Sequence, residues 1–241
     1  MPGVRSSLAI APNIDKLLLS GSKRMRMIAG LFLVALWGLS AITNVAQSTD
    51  NASTLNKGLE VELLKMGADD QKYRDVLEAE AMKMSSTGTS KASDEFVAAV
   101  KSQDEIDNRN MARLEEIIKQ NGWPGKSLVG GEASKAAFLI LQHSDLARQE
   151  KYLPLLKEAA KKGEARPADV AMLEDRVLVR KSKKQIYGTQ VHSGPDTGRK
   201  MVLDPIEDEE HVDERRASVG LMSLKEYLKH FGMEYHPPRR K

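Results

Sequence analysis

AAFLILQ, residues 136–142, decides the fold: it carries no charge and is apolar on every side, which marks a buried helix rather than an amphipathic surface one. It runs into Gln142-His143-Ser144-Asp145. A histidine at the end of a core helix, with a carboxylate two residues on, reads either as a general base or ligand or as a side chain that satisfies local carbonyls or a cap. Downstream, Leu146, Gln149, Leu153, Leu156 and Ala160 recur at helical spacing, with Pro154 expected to kink the helix and Gly163 to end it. Gln149 falls on that apolar stripe, about a turn from His143. Pro167 is well placed to open a third helix, and VAMLEDRVLV (170–179) is again apolar around its circumference. Yet Glu174, Asp175 and Arg176 sit in its middle. Three such charges must pair internally or face a wet cleft. In a cleft, Arg176 would hold an anion and Asp175 or Glu174 would orient a histidine.

Working back toward the N-terminus, Ser93 is a helix cap, and Phe96, Val100, Gln103, Asp107, Met111, Leu114 and Ile118 form one stripe. Asp107 on that line must be hydrogen-bonded, paired with a cation, or lining a pocket. Asn121-Gly122 stops this helix, and Trp123-Pro124-Gly125 turns the chain. Gly125-Lys126-Ser127 resembles the end of a phosphate loop, but Gln120 stands where the required earlier glycine would be and no strand precedes it. Helical spacing also links Leu55, Leu59, Leu63 and Met66, then Tyr73, Leu77, Ala81 and Met84, between the polar segments 49–58 and 85–93. This helix or helix pair either packs on the main domain or stands apart as a stalk.

Beyond Lys184 the pattern changes. QIYGTQVH (185–192) and RKMVLDPI (199–206) are strand-like and flank the turn-rich Ser193–Gly198, which predicts a hairpin. A charged helix or loop follows, and Ser223-Leu224-Lys225-Glu226 is a capping box for a last helix closed by Gly232. The expected fold is mainly α: a compact helical domain with one small β-hairpin over residues 93–236. A linker and helical arm (49–92) precede it, and a basic tail (237–241) follows.

Residues 1–48 read as an N-terminal extension and export signal. Lys23, Arg24 and Arg26 precede the uncharged run 27–45, which ends in Ala46-x-Ser48, so cleavage is expected before Thr49. If the segment is not cleaved, residues 27–45 would contact the membrane as an anchor. The expected location is periplasmic or extracellular. The formal charge is +3, but five basic residues against one acid fall within residues 1–48, so the remainder is close to neutral and lacks the footprint of a nucleic-acid binder. With no cysteine, disulfides, thiolate metal sites and lipid-modified thiols are excluded. No metal site and no cofactor is expected.

The ordered set Asp107, GWPGKSLVG (122–130), AAFLILQHSD (136–145), Gln149, LEDRV (173–177), QIYGTQ (185–190) and Arg215-Arg216 resembles a bacterial domain-of-unknown-function family of often exported proteins. The likeness spans about residues 100–230, and it implies a fold and candidate positions without a reaction. Asp107, Gln142, His143, Gln149, Asp175, Arg176, Tyr187, Gln185 and Gln190 are polar groups carried by largely apolar elements, as a pocket requires. Two readings follow. One is a binding or structural module of the cell envelope, in which Gln142, Gln149, Arg176, Gln185 and Gln190 recognise an unknown ligand or envelope component. The other is an envelope hydrolase or transferase in which His143 is the general base, Asp175 or Asp107 orients it, and Arg176 with Tyr187 holds the substrate. In either case QIYGTQ is expected to wall the pocket, with Tyr187 or Gln190 in reach of His143.

Overall fold

The computed structural model describes residues 55–87, 92–192 and 201–236. The expectations for the export signal, the basic tail and the turn at 193–198 lie outside the described residues. None of the described helices is long and apolar enough to cross a membrane.

Helix α1 (Lys57–Gln71) starts where the Asn56 side chain accepts the backbone N–H of Leu59 at 3.0 Å. It buries Leu59, Leu63 and Met66. A break at Lys72 and Tyr73 leads to α2 (Arg74–Thr87). Helix α3 (Asp94–Asn121) is capped by Ser93, as the sequence predicts, and ends at Gly122, whose φ of 73° places it in the left-handed region that glycine tolerates. Its buried line runs through Ala99, Gln103, Ile106, Asn110, Met111, Leu114, Ile117 and Ile118. That line is rotated from the expected one, so Phe96, Val100 and Asp107 lie at its margin. The short α4 (Lys126–Val129) follows Gly125, and the N–H of Ser127 there donates to the Glu164 carboxylate at 2.8 Å.

AAFLILQ lies within α5 (Gly131–His143), and Ala137, Phe138, Ile140 and Leu141 are each no more than 1% exposed. Helix α6 (Leu146–Lys161) begins at the cap Asp145 and contains Pro154, and α7 (Pro167–Arg180) begins at its proline. Helix α5 packs against α1, α3 and α6, and α7 backs α6. The α1–α5 approach is close enough to require Gly67, since a Cβ there would lie 2.8 Å from the Ala136 Cβ. Of the two arrangements left open for the helix pair, residues 57–71 take the first and pack on the main domain as a wall of its core, which therefore reaches back before Ser93. Leu59, Leu63 and Met66 join the same cluster as Met111, Leu114, Phe138, Leu141, Leu156 and Leu173.

A second apolar cluster of Val191, Ile206, Val212, Leu224, Tyr227 and Leu228 gathers the C-terminal segments. Strands β1 (Val191–His192) and β2 (Val202–Leu203) pair antiparallel, Val191 opposite Leu203. A 3-10 turn (Glu209–His211) leads into α8 (Val212–Ser218), and α9 (Leu224–Lys229) carries the complete Ser223/Glu226 capping box. The hairpin is shorter than predicted. Residues 186–190 are loop, because the N–H groups of Ile186, Tyr187 and Thr189 turn to a side chain of α7, and that of Gln190 to the Gln185 side chain, instead of a neighbouring strand.

Candidate functional site

The last turn of α5 delivers His143 to a buried acid that the sequence pattern did not single out. Nδ1 of His143 lies 3.0 and 2.8 Å from the two carboxylate oxygens of Asp70, and both side chains are 1% exposed. Asp70 closes α1, on the line that runs through Leu63 and Met66, so a continued helical stripe was the signal that could have found it. Arg74, at the start of α2, donates to Asp70 at 3.0 Å and to Asp107 at 2.8 Å. Gln103 spans the α1–α2 break. It accepts the Tyr73 N–H at 3.2 Å and donates to the Asp70 carbonyl and to the Asp107 carboxylate, each at 2.8 Å. Asp107 is thus the structural ion-pair residue that its place on the stripe allowed. It does not orient His143.

The electrostatics follow from this packing. Burial raises the Asp70 carboxyl, but His143 and Arg74 more than offset it and hold the group well below the usual carboxylate range. Burial pushes the His143 imidazole down to about 4, against the pull of Asp70, with Arg74 and Arg176 acting in the same direction as burial. Burial pushes Asp107 up to about 6 despite Arg74, and the Asp70 charge adds to the rise. At neutral pH the arrangement is therefore an ionised Asp70, a cationic Arg74 and a neutral His143. Since a carboxylate only accepts, Nδ1 carries the imidazole proton and Nε2 presents a lone pair.

The end of α5 and the start of α6 carry further buried polar groups. Nε2 of His143, both amide atoms of Gln142 and Oε1 of Gln149 are buried with no hydrogen-bond partner among the described residues. The amide nitrogen of Gln149 donates to the carbonyls of Gln142 at 2.6 Å and Ser144 at 3.2 Å, which ties α6 to the end of α5. Arg180 donates to the Ser144 carbonyl at 3.0 Å. Arg176 is 5% exposed and near enough to bear on His143, and burial, then Arg180, pushes its guanidinium down to about 9, still a cation at neutral pH. Gln142, His143, Gln149 and Arg176 are the expected site residues that the fold brings into one neighbourhood.

The other expected residues are gathered elsewhere, into a clasp. Asp175 neither orients His143 nor pairs within its own helix. Its carboxylate accepts the N–H groups of Ile186 (2.6 Å), Tyr187 (3.1 Å) and Thr189 (3.0 Å) and the Thr189 hydroxyl (2.9 Å). Burial raises the Asp175 carboxyl, while these bonds pull it the other way. Glu174 is bound to Lys157 of α6 at 2.6 Å. The carbonyls of the same loop face α8: Arg215 donates to Ile186 at 2.9 Å, and Arg216, fully buried, donates to Tyr187 at 2.7 Å. The loop closes on itself through Gln185, whose Oε1 accepts the Gln190 N–H at 2.8 Å and whose nitrogen donates to the Gln190 and Asp204 carbonyls. Gln190 turns its own amide to Thr189 and Met172. The Tyr187 hydroxyl, raised by burial, feels Glu174, Asp175 and Arg215. The expected pocket wall is thus a connector whose hydrogen bonds hold α7 to α8, and neither Tyr187 nor Gln190 bonds to His143.

Among the described residues no group of three or more histidine or acidic side chains is placed to hold a metal ion. In comparisons with known proteins, the sequence pattern of a family of unknown function (DUF6624) matches residues 57–236. No curated protein and no solved structure matches the chain.

Proposed function

The chain belongs to the DUF6624 family of unknown function, and from that premise we propose that it is a binding module of an exported, cell-envelope protein, with its recognition site at the C-terminal end of α5. One observation carries the reading: the Nδ1 of His143 is fixed by Asp70 while its Nε2 is buried without a partner among the described residues, as are both amide atoms of Gln142, the preceding residue of the helix. Each buried polar group left unbonded costs about 1–3 kcal/mol, so a core selected for stability alone would have replaced them with apolar side chains. The alternative, an envelope hydrolase or transferase with His143 as general base, is weaker. An imidazole pushed down to about 4 is a poor proton acceptor near neutral pH. The residues that would assist it, Asp175 and Tyr187, belong to the clasp.

Diethyl pyrocarbonate, which acylates the unprotonated nitrogen of a histidine it can reach, tests the site. In the folded protein near neutral pH, peptide mass mapping should find His143 modified together with the exposed His211 and His236. A His143 that stays unmodified until the protein unfolds would make the cluster a sealed structural core and end the binding reading. Export is supported by the basic cluster and apolar run within residues 23–48. N-terminal sequencing of envelope material should begin near Thr49, and an intact segment would replace cleavage with anchoring.

A further inference from the structure

The break between α1 and α2 is spanned by a largely buried cluster in which two carboxylates share one cation. Nη2 of Arg74, the first residue of α2, donates to Asp70 of α1 at 3.0 Å and to Asp107 of α3 at 2.8 Å. Gln103 of α3 donates to the Asp107 carboxylate and accepts the N–H of Tyr73, which lies within the break. Beyond it, α2 buries Leu77 and packs on α3. Asp70 and Arg74 are four residues apart along the chain, so their pair can survive a swing of α2 about the break. The Arg74–Asp107 pair and the Tyr73–Gln103 bond join the moving segment to α3 and would be lost in it.

With α2 docked, Asp70 and Asp107 are set against the single guanidinium of Arg74. The other groups around the cluster do not restore the balance. Gln103 is uncharged, and His143 of α5, bonded to Asp70, is neutral near pH 7 because burial pushes it down to about 4, with Arg176 of α7 acting in the same direction. Docking therefore places a second negative charge beside a cation already engaged by Asp70, and a proton on Asp107 removes that charge. Burial pushes the Asp107 carboxyl up to about 6 against the pull of Arg74, and the Asp70 charge adds to the rise. We propose that α2 is a proton-operated latch, which docks on α3 when Asp107 is protonated and loosens as Asp107 ionises. The sign follows by linkage. The docked form holds the proton more tightly than an Asp107 released into water, so docking is strongest below about pH 4 and weakens as pH rises to about 6.

Hydrogen exchange on the intact protein tests the latch at pH 5 and pH 7, a range above the titration of His143. The amides to follow are those of Tyr73, held by Gln103, and Leu77, since a helix of 14 residues released from its support is marginal in water. After correction for intrinsic rates, their protection should be lower than that of the α5 amides, which marks a local opening. It should also fall about tenfold from pH 5 to pH 7, as a carboxyl at about 6 when docked and 3.8 when released requires. Asp107→Asn keeps an acceptor for Arg74 and Gln103 but cannot ionise, so it should abolish the fall and leave α2 protected at pH 7. If that variant fails to fold, the 13C shift of the wild-type Asp107 carboxyl supplies the second readout and should titrate near 6. Protection that does not change with pH in the wild type would mean that a cation on His143 balances the cluster, and would overturn the latch. A fall that persists in Asp107→Asn, exchange of α2 and α5 as one unit, or an Asp107 carboxyl that titrates near its ordinary 3.8 would overturn it equally.

Discussion

At the residue scale, the Gln142 and Gln149 amides make opposite predictions from similar burial. Gln142 has no side-chain hydrogen bond to lose, so Gln142→Met, of nearly equal volume, should leave stability unchanged or raise it by about 1–3 kcal/mol in urea denaturation. Gln149→Met strands the buried carbonyl of Gln142, leaves that of Ser144 to Arg180, and should cost about 1–3 kcal/mol in the same assay. Equal behaviour of the two variants would remove the distinction. The titrations of His143 and Asp107 also oppose one another. His143 is held at about 4, below its ordinary 6.5, so its contribution is complete above 6.5 and is lost as pH falls through that window. Asp107 is raised from 3.8 to about 6, so folding is penalised increasingly as pH climbs between those values. Relative to wild type, His143→Gln should therefore lose less stability on acidification from pH 6.5 to 4, by up to about 3 kcal/mol, since each tenfold change in proton affinity is worth about 1.4 kcal/mol. Asp107→Asn should lose more over the same range. Parallel pH curves for the three proteins would mean that neither group is perturbed as described.

Among the elements, the connector at 185–190 is held mainly through its backbone, by one helix on each side. Asp175 of α7 takes three of its N–H groups, and Arg215 and Arg216 of α8 take the carbonyls. Gly188 makes this possible with a φ of 68°, and a Cβ there would lie 2.8 Å from Ile206 Cδ1. Asp175→Asn replaces an acceptor with an N–H₂ facing the same donors and should cost about 3–5 kcal/mol, as for a buried charge network broken on one side. Hydrogen exchange should show the amides of Ile186, Tyr187 and Thr189 losing protection before the α5 amides do. A double-mutant cycle with Arg216→Met should give a coupling of about 0.5–3 kcal/mol, because both side chains order the same loop. Zero coupling would separate the two halves of the clasp. The motifs DR, YGTQ and Arg215-Arg216 were legible as an ordered set, but their letters are the same whether a side chain meets a ligand or a neighbouring backbone. Strand-like composition at QIYGTQ likewise yielded to Asp175, which satisfies the N–H groups that a sheet partner would have taken.

For the whole molecule, the core begins with α1. Leu59, Leu63 and Met66 fill the cluster around Phe138 and Leu141, and Asp70 partners both His143 and Arg74. A chain beginning at Ser93 should therefore lack a cooperative thermal transition and dispersed amide resonances, since it loses three core side chains, each worth about 1.5–3 kcal/mol of burial, and leaves His143 without its acid. A cooperative fold from Ser93 onward would restore the separate arm. The sequence by itself determined the long helices, the caps at Ser93 and Ser223, the stops at Gly122 and Gly163, and the burial of α5, because these depend on contacts within a few residues along the chain, where periodicity and capping chemistry can be read directly. Tertiary structure alone decided that Asp70 and not Asp175 orients His143, 73 positions away, and that Asp175 binds backbone. Which buried charge meets which partner depends on how the helices are rotated and stacked, and that choice is made by the packing of the whole core.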